Sequence, residues 1–193
     1  MARRILAVLL VVVILIILIG FTLPRSLTIE RSRLVDQPAP VIFEVLNDLR
    51  HFPQWSPWDA GGAALEYRWE GPNAGPGAAL VWNEGDQEQA GRLWIIDSQA
   101  PQRIDLKMEL GESEVDTFFS IEPENGGQRV TWGMQVGFST FDLTGRYVGL
   151  MLPALIGPSY EDGLDRLAAY LERSPGAVPP LPGAAESSSD AVP

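Results

Sequence analysis

"YRWEGPNAGPGAALVWN", Tyr67 to Asn83, places two tryptophans, Trp69 and Trp82, on either side of Gly71, Pro72, Asn73, Ala74, Gly75, Pro76 and Gly77. Glycine reaches positive φ without steric cost and proline pre-sets φ near −65°, so a run of both reads as a turn. Before it, Leu65, Tyr67 and Trp69 alternate with Glu66, Arg68 and Glu70. That period of two belongs to a strand with one face on a core and one on water. An indole on each arm of the resulting hairpin either fills a core or lines a pocket, and the rest of the chain has to decide which.

The alternation continues downstream. Ile104, Leu106, Met108 and Leu110 lie opposite Asp105, Lys107 and Glu109, and further strands are predicted at Leu80 to Asn83, Gly91 to Asp97, Val115 to Glu122 and Arg129 to Val136. The turn "ENGGQ" joins the last two, with Gly126 and Gly127 supplying positive φ. Upstream, "SLTIERSRLV" is rich in strand formers, and "PAPVIFEVLNDLRHFPQW" switches to helical spacing, with Val41, Val45 and Leu49 beside Ile42 and Leu46. At the other end, "GPSYEDGLDRLAAYLER" puts Tyr160, Leu164, Leu167, Ala168 and Leu171 on one helix face. Gly157 or Ser159 is the expected cap there, and Pro158 suits an early helical position. The segment before it, Leu143 to Ile156, is apolar enough for a second helix or a gate, which Pro153 should kink or end.

Two appendages flank this domain. "ILAVLLVVVILIILIGFTL", Ile5 to Leu23, runs 19 residues without a charge. As a helix it would rise about 28 Å, close to the ~30 Å of a bilayer's hydrocarbon core. It exceeds the usual apolar core of a cleaved signal and no A-x-A site follows it before "TLPRS", so an uncleaved single-pass anchor is expected. Arg3 and Arg4 precede it, while Arg25, Arg31 and Arg33 follow; the short amino-terminal side most easily stays in the cytoplasm, leaving the domain extracytoplasmic. The last stretch, "SPGAVPPLPGAAESSSDAVP", has too few large apolar residues to offset the entropy of ordering, and disorder is expected. The organisation is thus an anchor at 1–25, a domain at 26–173 and a tail at 174–193.

Composition excludes several chemistries. The chain has no cysteine and one histidine, His51, which leaves no ordinary zinc set and only one residue through which a Ser-His-Asp relay could run. His51 lies between a helix and a Pro-directed turn, where a surface or capping role is expected. Removing Arg3 and Arg4 from the 14 basic residues leaves 12 against 25 acidic ones, a net of −13 that repels phosphate backbones, so no nucleic-acid partner is expected. Asp59, Glu66, Glu70 and Glu84 invite paired-carboxylate chemistry, but Glu66 and Glu70 fall on the solvent phase of their strand. "GPNAGPG" lacks the lysine and following helix of a phosphate loop. Trp55 and Trp58 read as a hydrophobic plug where the first helix crosses to the sheet.

Together "APVIFEVLNDLRHFPQWSPW", "YRWEGPNAGPGAALVWN", "GRLWIIDSQAPQRIDL", "FFSIEPENGGQRVTWGM" and "GPSYEDGLDRLAAYLE" resemble the START-like SRPBCC superfamily, of the polyketide cyclase/dehydrase type, over about Leu27 to Arg173. The resemblance implies an α+β helix-grip fold, with a curved antiparallel sheet of six to seven strands around a long carboxy-terminal helix and a cavity between them. In that arrangement Tyr67, Trp69, Leu80, Trp82, Trp94, Leu106, Met108, Phe119, Trp132, Met134 and Leu164 are the candidate ligand-binding residues. Trp94 sits in Gly91–Asp97, which has apolar residues on both phases, and Arg92 shares its phase. No catalytic residue, metal or cofactor is expected. The leading expectation is an anchored domain that binds an apolar or amphipathic small molecule, lipid or polyketide-like. A cyclase or dehydratase and an interaction module for a membrane partner are the alternatives.

Overall fold

The computed structural model describes residues 2–58, 65–84, 87–110 and 113–181. Its elements run α1 (Ala2–Thr22), β1 (Ser26–Val35), α2 (Ala39–Asn47), a 3₁₀ turn (Phe52–Gln54), β2 (Leu65–Glu70), β3 (Ala79–Glu84), β4 (Gln87–Gln99), β5 (Arg103–Leu110), β6 (Ser113–Glu124), β7 (Gly127–Gly137), α3 (Leu143–Gly149) and α4 (Leu152–Leu171). The seven strands form one antiparallel sheet in the order β1-β7-β6-β5-β4-β3-β2. Every strand from β2 to β7 pairs with its sequence neighbour, and β1 closes the far edge on β7. The fold is the α+β helix-grip arrangement expected from the sequence, with α2 and α4 against the concave face.

The opening hairpin forms between β2 and β3, with Trp69 opposite Leu80 and Tyr67 opposite Trp82. Its turn is held from outside: the Gly75 amide donates to the Asn47 carbonyl at the end of α2 (3.0 Å), and the Gly77 amide to the Ile95 carbonyl of β4 (2.9 Å). Gly71 takes φ of +76°, and a Cβ there would come within 2.3 Å of the Gly77 carbonyl oxygen. Only glycine fits that position.

Strand β4 carries apolar residues on both faces: Leu93 and Ile95, opposite Met108 and Leu106, point into the core, while Trp94 and Ile96 point outward. A register shift between Ile95 and Asp97 places an extra residue in the strand beyond Trp94.

Helix α4 is longer than its sequence pattern suggests. It starts at Leu152 with Pro153 in its first turn, where a missing amide costs nothing, and Pro158 lies inside it. The sequence reading put the start near Gly157 to Ser159. The difference arises because Pro158 loses one backbone hydrogen bond, a penalty that packing of the apolar face can outweigh. Arg31 on β1 fixes this end: its Nε donates to Glu161 Oε1 (2.6 Å) and Nη2 to the Pro153 carbonyl (3.4 Å). Gly157 leaves the space through which that guanidinium passes.

The chain beyond α4 folds back on the domain. The Gly176 amide donates to Gln37 Oε1 (2.8 Å), Val178 packs against the core and Pro179 is buried. Ser174 to Leu181 therefore belong with the domain rather than with a disordered tail, and residues 182–193 of that expected tail lie outside the described residues.

Helix α1 is long and apolar enough to cross a membrane. From Arg3 to Thr22 its side chains are exposed, and only Gly20, where α3 lies against the helix, is buried. Tyr147 donates to the Ile16 carbonyl (2.6 Å), and Gly20 lets Tyr147 and Leu143 approach its backbone. The buried Arg146 guanidinium reaches the carbonyls of Gly20 and Leu23 (3.3 Å each), Ser139 (3.1 Å) and Thr140 (2.9 Å). A cation on the last carbonyls of a helix satisfies orphan acceptors and complements the helix dipole.

Candidate functional site

The concave face of the sheet is divided. Toward α2 and the 3₁₀ turn it is packed with rings: Trp132 stacks on Tyr160 of α4 at 4.1 Å between centroids and 6° between planes. Trp55, Phe52, Trp58 and Phe119 surround Trp132 at 5.3 to 6.2 Å. Gly163 brings α4 down onto this cluster, since a Cβ there would lie 2.7 Å from Trp132 and 3.1 Å from Pro57. Trp82 stacks on Trp58 at 6.2 Å and covers Gly91, which has no Cβ to obstruct it.

Toward the start of α4 the face is not filled. A cavity of about 170 Å³ lies between helix and sheet, lined by Trp58, Met108, Val115, Met134, Leu155, Ile156, Ser159 and Tyr160. Ligand pockets usually run from about 300 Å³ upward, but an apolar cavity of ~150 Å³ holds benzene. The space therefore accepts a small ring or the end of an alkyl chain.

Two hydroxyl-bearing residues are among the lining, Ser159 and Tyr160. Tyr160 is almost wholly buried; its oxygen lies beside Thr117 without a partner that closes a hydrogen bond. Burial pushes the phenol up to about 12, only partly offset by Thr117. The Thr117 hydroxyl donates to the Gly133 carbonyl (2.8 Å) and accepts from Trp132 Nε1 (3.2 Å). A buried hydroxyl without a partner costs free energy unless something enters to meet it. Among the described residues no carboxylate, lysine or histidine lines the cavity.

Of the eleven residues singled out from the sequence, Met108 and Met134 line this cavity. Leu80, Trp82, Leu106, Phe119, Trp132 and Leu164 lie on the concave side but within the packed core. Tyr67 is partly buried at its margin. Trp69 has the inward phase but sits on the edge strand, 48% exposed, in a shallow groove with Leu49, Arg50, Pro72 and Asn73. Trp94 is on the convex face beneath the Arg92 guanidinium, 5.1 Å from the ring centroid, because Leu93 and Ile95 take the inward phase opposite Met108 and Leu106.

Sequence reasoning did not assign Trp58, Val115, Leu155, Ile156, Ser159 or Tyr160 to a pocket. Leu155 and Ile156 belong to the segment read as a possible gate, which was the usable signal. His51, for which a surface or capping role is expected, stands at the N-cap position of the 3₁₀ turn without a side-chain cap bond, and it is not on the surface. It is buried, with Nδ1 2.7 Å from the Tyr170 hydroxyl, away from the cavity. Burial pulls its pKa below the ordinary 6.5, against the opposing pull of Asp48. Burial raises the Asp48 carboxyl in turn, but the Arg50 hydrogen bonds, at 2.5 to 3.1 Å, outweigh that and hold it below the usual value.

A curved sheet gripping a long helix over an apolar cavity defines the helix-grip class of fold. Residues 26–172 match the family described as polyketide cyclase / dehydrase and lipid transport, and the chain belongs to that family. The ribosome association toxin RatA of Pseudomonas aeruginosa is 23% identical over 155 residues, covering 77% of this chain and 96% of that protein. A protein of unknown function from Staphylococcus aureus shares the fold at a TM-score of 0.58, with 11% identity over 77% of this chain and 95% of its own. A protein from Thermobifida fusca gives a TM-score of 0.55 at 20% identity, covering 77% and 96% respectively.

Proposed function

We propose that the protein is a membrane-held binding domain that takes the apolar end of a lipid or polyketide-like molecule into the cavity between α4 and the sheet. The observation that carries this reading is the cavity itself: apolar walls, two methionines that can adapt to a guest, and Ser159 and Tyr160 among the lining residues. The family's description includes lipid transport. Retention of α1 as an anchor is supported by its contacts with α3, which a cleaved leader would not make. The arginines at its start favour a cytoplasmic amino terminus and an extracytoplasmic domain.

Catalysis of a cyclase or dehydratase kind has less support, since the Tyr160 phenol, raised to about 12, is a weak proton donor at neutral pH. The ribosome association of RatA does not carry over, because a net charge of −11 opposes binding to ribosomal RNA. The test is native mass spectrometry of the full chain released from detergent, with extraction of whatever is bound. A stoichiometric apolar ligand, lost in Met134→Trp, is the expected result; an empty protein that also ignores a panel of lipids would end the reading.

A further inference from the structure

Between Phe138 and Tyr160 the chain carries two charged residues, Asp142 and Arg146. Asp142 caps α3 by accepting from the Gly145 amide (2.8 Å), and Arg146 is buried on the carbonyls at the end of α1. Beside the exposed Ser139, Thr140, Asp142 and Thr144, this segment turns five large apolar side chains outward: Phe141 (82% exposed), Val148, Leu150, Met151 and Leu155 (64%). A water-soluble surface rarely gathers so many large apolar side chains in one short segment unless something covers them.

The position of the segment identifies the cover. The Tyr147 hydroxyl bonds the Ile16 carbonyl, and Thr22 ends α1 six residues later. At 1.5 Å per residue, α3 therefore reaches about 9 Å back along α1 from its carboxy-terminal end. If Ile5–Leu23 fills the ~30 Å hydrocarbon core of a bilayer, α3 spans from the headgroup boundary into the outer part of the acyl chains. Leu155 belongs both to this exposed surface and to the lining of the cavity, so the surface is continuous with the cavity mouth.

We propose that Phe141 to Leu155 forms a docking strap that lies in the interface of the bilayer crossed by α1, so that the cavity opens onto lipid rather than water. The inference rests on the anchor proposed above, and it narrows the ligand to a molecule resident in that bilayer. The large net negative charge of the chain is no obstacle, because the strap inserts by apolar contact and needs no anionic headgroup.

The absence of cysteine makes the test direct. Val148→Cys, Met151→Cys and Leu155→Cys, each in the full chain in phosphatidylcholine nanodiscs, are spin-labelled and compared with Asn125→Cys in the β6–β7 turn. Dissolved oxygen concentrates in lipid and a nickel chelate in water, so their relative collision rates report depth. The expected result is oxygen-dominated collision at the three strap positions and chelate-dominated collision at position 125, with ratios differing at least fivefold. Chelate access at the strap equal to that at position 125 would overturn the proposal. Shielding from both reagents would overturn it as well, in favour of a protein partner. Labels that report lipid around an empty cavity would leave the strap standing and remove the ligand reading; labels in water around an occupied cavity would do the reverse.

Discussion

The two ends of the concave face are built from different materials. At the α2 end, Phe52, Trp55, Phe119 and Trp132 lock together edge to face, and α4 is pressed onto them through Gly163. At the other end, Met108, Val115 and Met134 face Leu155 and Ile156 across open space. Rings with few rotamers fix a shape, whereas thioethers and aliphatic chains adapt to one. The same sheet thus carries a rigid half that holds the fold and a compliant half that can accept a guest.

Breaking the rigid half should have the largest effect. Trp132→Ala is expected to cost about 3–5 kcal/mol in denaturant unfolding, through the cavity it leaves under Tyr160. Met134→Leu at the compliant end should cost less than about 1.5 kcal/mol. Equal losses would mean that the two halves do not differ. Next in size is Gly163→Ala, whose new methyl meets Trp132 and Pro57; a loss of about 1–3 kcal/mol is expected, and a neutral result would show that α4 does not press on the cluster.

Tyr160→Phe stands at the boundary of the halves. Removing a hydroxyl with no partner should leave unliganded stability unchanged or raise it by up to about 1 kcal/mol, while weakening any ligand whose polar atom meets that oxygen. Calorimetric unfolding of apo protein and titration with an extracted ligand separate the two effects. The smallest effect is the pH dependence of the rigid half. His51 is held below 6.5 in the folded state, so the unfolded chain binds more protons as pH falls through 6.5, and stability declines on the acid side and is flat above it. His51→Gln should remove the part of that slope between pH 7.5 and 5, leaving the decline at lower pH from Asp48, whose folded pKa is also lowered.

The order of elements was legible because alternation and helical spacing are local properties. Each misreading has a tertiary cause. Trp94 follows Arg92 onto the convex face, because Leu93 and Ile95 take the inward phase opposite Met108 and Leu106. Packing carried α4 through Pro158, and Gln37 tied down the start of the tail. His51 was buried by Tyr170, 119 residues away in the chain. Composition marked the concave face correctly for most of the candidate residues, but it could not divide that face. Which rings touch depends on how closely α4 approaches, and that distance is set by Gly163, a residue with no side chain to notice.

Three residues, Leu23, Pro24 and Arg25, separate α1 from β1. So short a link reaches about 10 Å at full extension, and Arg146 and Tyr147 clamp even that. On an anchored chain the domain has no tether on which to swing: it is a fixed berth rather than a ferry. Any cargo must travel laterally to it and leave by the same plane, and delivery to a second membrane would require another protein to come alongside.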